Sequence, residues 1–171
     1  MVNEATVAEP GVLEQRAWKA AATVTDPEIP VLTIEDLGVL RDIRVDEASG
    51  AVTADITPTY TGCPAMNMIA VAVDVALRNA GFTDVKINTV LSPAWTTDWL
   101  TTEGRAKLKE YGIAPPSGQT GRHALFGQDE VDCPHCGSAD TERLAEFGST
   151  ACKALWRCRS CGEPFDYFKC H

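Results

Sequence analysis

Cys133-Pro134-His135-Cys136-Gly137 and, after 21 intervening residues, Cys158-Arg159-Ser160-Cys161-Gly162 decide the C-terminal fold of this chain. Two Cys-x-x-Cys knuckles at this spacing close around one tetrahedral metal ion, the arrangement of a structural zinc ribbon. Each knuckle ends in glycine, where positive φ turns backbone amides toward the sulfurs. Residues 129–171 number only 43, too few to bury a self-sufficient core. Bound metal must therefore supply much of the folding energy, on the order of 10 to 16 kcal/mol for zinc. Iron in a rubredoxin-like site is the competing occupant. A redox dithiol or a disulfide pair fits less well, because a thioredoxin-like motif needs one knuckle at a strand-to-helix junction. Here two matched knuckles sit among expected strands at 141–147, 153–157 and 163–169.

Three cysteines remain: Cys63, Cys152 and Cys170. Cys170 with His171, or His135 inside the first knuckle, offers substitute ligands, but a four-cysteine site is already closed. Cys152 reads most simply as a ribbon core residue. Seven cysteines in a chain of 171 residues fit metal ligands or reactive thiols in the cytoplasm, where thiols stay reduced. The start, Met1-Val-Asn-Glu-Ala-Thr, has no basic region followed by an apolar one. No apolar run approaches the roughly 18 residues of a membrane span, so a cytoplasmic protein is expected.

The formal charge of −9 divides into about −6 before Asp129 and −3 from it onward. Four thiolates and one zinc ion bring the total to about −11. Phosphate binding rests on clustered Lys and Arg, whereas Lys153, Arg157 and Arg159 stand among acids. A protein partner is expected, and nucleic acid and membrane are not.

Upstream, apolar periodicity predicts helices over 12–23, 64–80 and 101–111 and strands over 39–45, 51–57 and 85–91. Thr33 with Asp36 three residues on has the form of a capping box. The fold class is α+β: a small α-β-β-α-β-α domain with a three-stranded sheet and helices mainly on one face, plus the C-terminal ribbon. The expected organisation is a domain over 1–113, a linker over 114–128 and the ribbon over 129–171. Leu125 and Phe126 are apolar enough to dock the linker and hold the modules in a defined relation.

The chemical candidate is Cys63 in Thr59-Tyr-Thr-Gly-Cys63-Pro64. Proline favours the first helical position, which places Cys63 at the N-cap, where amides and helix dipole favour thiolate. A nucleophile or soft-metal ligand fits there, and so does a small buried capping residue. Asp26 and Glu28, held by Pro27 and Pro30, can act on a metal or a proton or simply form a solvated turn. Apart from linker His123, the first domain has no histidine to serve a Cys-His hydrolase, and no Gly-rich phosphate loop with its lysine is present.

The run from Asp26 through Pro-Glu-Ile-Pro-Val-Leu-Thr-Ile-Glu-Asp-Leu-Gly-Val to Leu40, followed by Thr59-x-x-x-Cys63-Pro64, resembles the small domain of iron-sulfur cluster assembly and targeting factors. Joined to a four-cysteine ribbon, the chain from Val12 to His171 resembles the D-subunit family of the bacterial phenylacetyl-CoA epoxidase system. The family's signature residues fall here on Asp26, Pro27, Glu28, Thr59, Cys63 and Pro64, without departure. The resemblance implies an accessory protein in phenylacetate breakdown, with no independent activity, attached to a multicomponent monooxygenase whose other subunits form a di-iron oxygenase and a reductase. In that reading Cys63 transiently ligates iron or an iron-sulfur cluster, Asp26 and Glu28 shape the site, and zinc in the ribbon is structural. The ribbon then recognises a partner subunit, and a homodimer or the client completes the labile site. The alternatives are an electron-transfer or structural component of the epoxidase, with iron in the ribbon, and a nucleic-acid-binding regulator.

Overall fold

The computed structural model describes residues 11–116 and 130–169. Cys170, His171, His123, Leu125 and Phe126 therefore lie outside the described residues, as does most of the expected linker. Helix α1 (Val12–Ala22) starts where the Gly11 amide donates to Glu14 Oε2 at 3.1 Å, and it buries Ala17 and Ala21. Strands β1 (Leu40–Val45) and β2 (Val52–Ile56) form the expected antiparallel hairpin. Its turn is tied by Asp46, whose Oδ1 accepts from the Ala48 and Ser49 amides at 2.9 and 3.0 Å. Helix α2 (Ala65–Asn79) buries Met66, Ile69, Val73 and Leu77, the 3-4-4 spacing of a core-facing stripe. It returns the chain to β3 (Val85–Thr89), parallel to β2. The sheet order is β1-β2-β3. Val52, Ala54 and Ile56 of the central strand all enter the core. The opposite face is polar, with Asp55 bound to Arg44 at 2.9 Å and to Asn88 at 2.9 Å.

The Thr33–Asp36 pair forms its two reciprocal bonds, but around a turn instead of a helix: the Thr33 amide donates to Asp36 Oδ2 at 2.9 Å and the Asp36 amide to Thr33 Oγ1 at 3.0 Å. Buried Asp36 then anchors helix α3 (Thr102–Glu110), through Lys107 Nζ at 2.8 Å and through the Thr101 amide on its carbonyl at 2.9 Å. Gly38, two residues on, has φ +67°, and a Cβ there would stand 2.6 Å from Trp99 Cβ. Only glycine fits that crossing.

After α3 the chain does not simply leave the first domain. Strand β4 (Ile113–Ala114) pairs in parallel with the last ribbon strand, giving a four-stranded sheet β4-β7-β6-β5 with β5 (Thr141–Ala145), β6 (Lys153–Cys158) and β7 (Pro164–Phe168). Successive strand residues face opposite ways. Accordingly Ile113 joins the first domain's core and Ala114 joins the ribbon's. Cys152 and Phe168 of the ribbon also enter the first core, where Phe168 meets Trp95 edge-on at 6.0 Å. Cys152 thus departs from the expected ribbon-core position. The ribbon's own core is small, Val131, Ala154, Trp156, Phe165 and Tyr167 around Cys133 and Cys158.

Candidate functional site

The four knuckle cysteines converge, with ligand atoms all within 4.8 Å of one another. Cys133 Sγ lies 3.8 Å from Cys161 Sγ, and Cys136 Sγ lies 3.6 Å from Cys158 Sγ. A tetrahedron of zinc–sulfur bonds of about 2.3 Å has edges of about 3.8 Å, so the donors fit such an ion. Both knuckles use one hydrogen-bond pattern. Gly137 donates to the Cys133 carbonyl and Gly162 to the Cys158 carbonyl, each at 2.9 Å, while Cys133 and Cys158 donate to Ser138 and Glu163 at 2.9 Å. The glycines stand at φ +75° and +81°, as this turn requires. Without a cation the thiols cannot all ionise. The Cys161 amide, with neighbouring thiols, brings Cys158 down to about 6. At Cys136 the Ser138 amide favours thiolate, but Cys158 and burial outweigh it and push the thiol up to about 12. A dication removes that conflict.

The second candidate gathers at the start of α2. Pro64 is already helical (φ −68°, ψ −21°), so Cys63 sits directly before the first turn, and its sulfur accepts from the Ala65 amide. The Tyr60 hydroxyl also donates to it. The expectation of a favoured thiolate is overturned: burial pushes the Cys63 thiol up, the Ala65 amide and Tyr60 only partly offset it, and Glu28 and Asp26 add repulsion. Tyr60 is itself pushed up to about 12, first by burial and then by Cys63. Asp26 is buried, and its Oδ1 accepts from the Glu28 amide at 2.7 Å and the Ile29 amide at 2.8 Å. Its role is thus to hold the turn that presents Glu28. Thr59 lines a small cavity of about 80 Å³ with Tyr60, Thr57, Pro58 and Trp95.

Two residues in this group are absent from the expected site. Tyr60 lies inside the Thr59–Cys63 segment, where a tyrosine has the look of an ordinary core residue. Cys152 comes from the ribbon: its Sγ lies 3.6 Å from Glu28 Oε2 and 3.1 Å from Thr150 Oγ1. Its one signal in the sequence is that it is a cysteine left over from the knuckles.

Comparison with known proteins matches these two sites to two family descriptions. Residues 14–89 match the iron-sulfur cluster assembly protein family, and residues 117–169 match the PaaD zinc beta ribbon domain. A protein of Escherichia coli (strain K12), provisionally named as the D subunit of 1,2-phenylacetyl-CoA epoxidase, is 50% identical over 170 residues, covering 99% of each chain. The chain belongs to the D-subunit family of phenylacetyl-CoA epoxidase. A relative covering the first module is the Fe-S protein maturation auxiliary factor SufT of Staphylococcus aureus (strain USA300), 34% identical over 86 residues, 50% of this chain and 96% of that one. The crystal structure of a domain of unknown function, DUF59, from Bacillus anthracis shares the fold, with TM-score 0.52 and 24% identity over 56% of this chain and 91% of that one. In this D-subunit family member, Asp26, Glu28, Thr59, Tyr60 and Cys63 fall in the assembly-type span and Cys152 in the ribbon span. Among the described residues no helix is long and apolar enough to cross a membrane.

Proposed function

We propose that this protein is an accessory factor of a phenylacetyl-CoA epoxidase that helps load iron or an iron-sulfur cluster into a partner subunit, with zinc held structurally in the ribbon. The observation that carries this reading is Cys63 standing with Tyr60, Glu28 and Asp26 in an assembly-type domain. Such a site has too few thiols for a permanent four-thiolate cluster, which suits cargo that must leave again. Burial and the two carboxylates keep Cys63 protonated while no cation is near. A ferrous ion supplies the charge that the carboxylates favour, so the thiol gives up its proton as metal arrives. Binding is then reversible, and the client's own ligands can withdraw the cargo.

The ribbon has a different task. A closed tetrahedral site has no open position for chemistry. Three of its five bases are paired with acids: Arg157 Nε binds Glu142 at 3.0 Å, Arg159 Nη2 binds Glu142 at 2.9 Å, and buried Lys153 lies 3.4 Å from Asp166. That pairing supports a protein partner over a phosphate backbone. The test is co-expression with the other epoxidase subunits. Cys63→Ala is expected to leave the fold and the ribbon metal intact while client iron or cluster content falls several-fold; normal client loading would overturn the reading.

A further inference from the structure

Helix α2 is apolar on both sides. Its inner stripe, Met66, Ile69, Val73 and Leu77, is buried in the first core. Across the helix stand Pro64, Met68, Val71 and Val75, with Met68 64%, Val71 65% and Val75 49% exposed. At about 100° per residue these four fall in one narrow band, directly opposite the inner stripe. A surface helix ordinarily turns charge to water, and one that is apolar all round is covered on both sides. The two charged residues of α2 leave the outer band uninterrupted: Asp74 and Arg78 bind each other at 2.7 Å.

Spacing, charge and area say what covers it. From Pro64 to Val75 the steps are four, three and four residues, the repeat by which one helix takes another along a shared stripe. The formal charge of −9 sets a second copy against itself and suits a partner whose apolar stripe is flanked by basic residues. A helix of 15 residues is about 22 Å long and about 10 Å wide, so its outer face measures on the order of 200 Å². A stable interface withdraws about 800 Å² from each partner, and a contact this much smaller forms and parts readily. The stripe also begins at Pro64, the residue after Cys63.

We infer that the outer face of α2 is the docking surface for an amphipathic helix of a partner subunit, one with apolar residues at 3.5-residue spacing and Lys or Arg beside them. The inference rests on the reading above and adds the surface on which the client meets the Cys63 end of the helix.

The probes are the other purified subunits of the epoxidase, titrated one at a time against the full chain with zinc in its ribbon. One of them is expected to bind reversibly, more weakly as salt rises, and to shield the 68–75 stretch from carbene labelling. Val71→Lys should weaken that binding by at least about tenfold. The variant keeps its fold, because position 71 is exposed and lysine suits a helix at least as well as valine. Val12→Lys, at a valine 83% exposed on α1, should bind as wild type does. Equal binding by Val71→Lys and wild type would overturn the inference, as would wild type binding none of the subunits. A wild-type dimer that Val71→Lys splits in sedimentation would assign the face to a second copy and overturn it too. So would a free monomer whose 68–75 stretch resists labelling, since a segment of the chain itself would then cover the face. Cys63→Ala should dock as wild type does while client iron falls, so the docking surface and the cargo reading fail separately.

Discussion

In the ribbon, four like donors sit in a cage whose halves repeat one turn, whereas at Glu28 unlike groups meet from two modules, the Cys152 thiol and a carboxylate. The cage satisfies itself. Its sulfurs lie 3.6 and 3.8 Å apart in cross-knuckle pairs, and an ion bound there has nowhere to go. Around Glu28 the arrangement is looser: Cys152 Sγ lies 3.6 Å from Glu28 Oε2, and burial first of all pushes the Cys152 and Cys63 thiols up. One architecture suits permanence and the other suits exchange.

The largest expected effect breaks the cage. Cys158→Ser, or a strong chelator, should remove the on the order of 10 to 16 kcal/mol that a structural ion gives a module of this size. Hydrogen exchange should then show β5, β6 and β7 losing protection while β2 and α2 keep theirs. Equal loss in both modules would mean that the ribbon is not independently metal-dependent.

Next comes the seam between the sites. Phe168→Ala removes a fully buried ring that meets Trp95 in the first core, and it should cost about 3 to 5 kcal/mol in chemical denaturation.

A smaller effect separates scaffold from site. Burial alone would raise the Asp36 carboxyl, but Lys107 and the Thr33 amide and hydroxyl overcome it and hold the group below its ordinary value. A depressed carboxylate adds stability fully above its unfolded pKa of about 4, and that stability is lost as pH falls through the folded value. Asp36→Asn should therefore cost about 2 to 3 kcal/mol at neutral pH, with the gap to wild type closing in acid. Cys63→Ser should change stability by less than about 1 kcal/mol, the smallest effect of the series, because a half-buried thiol loses little on exchange for a hydroxyl.

How much could be read beforehand follows from the same contrast. The knuckles were legible because both ligands of each half are local, and because Gly137 and Gly162 mark the turns. The hairpin, α2 and β3 were legible from periodicity, and Val52, Ala54 and Ile56 fell where alternation put them. Strand β4 was not, since two residues carry no period and its partner β7 lies some 50 residues on. Cys152 was misplaced for a related reason. A ribbon residue that turns toward another module has no local mark, and only the pairing of β4 with β7 and the burial of Phe168 in the first core bring it to Glu28. The thiol behaviour of Cys63 was misjudged because a helix start is visible in sequence, whereas burial and facing carboxylates are not.

The central claim is that the two cysteine groups divide the work, one holding a structural ion and the other handling cargo. Elemental analysis of anaerobically purified wild type beside Cys63→Ala tests it most directly. The account predicts one zinc per chain in both proteins, with iron present in wild type and lost from the variant. Iron in place of zinc at the knuckles, or iron unchanged by Cys63→Ala, would contradict it.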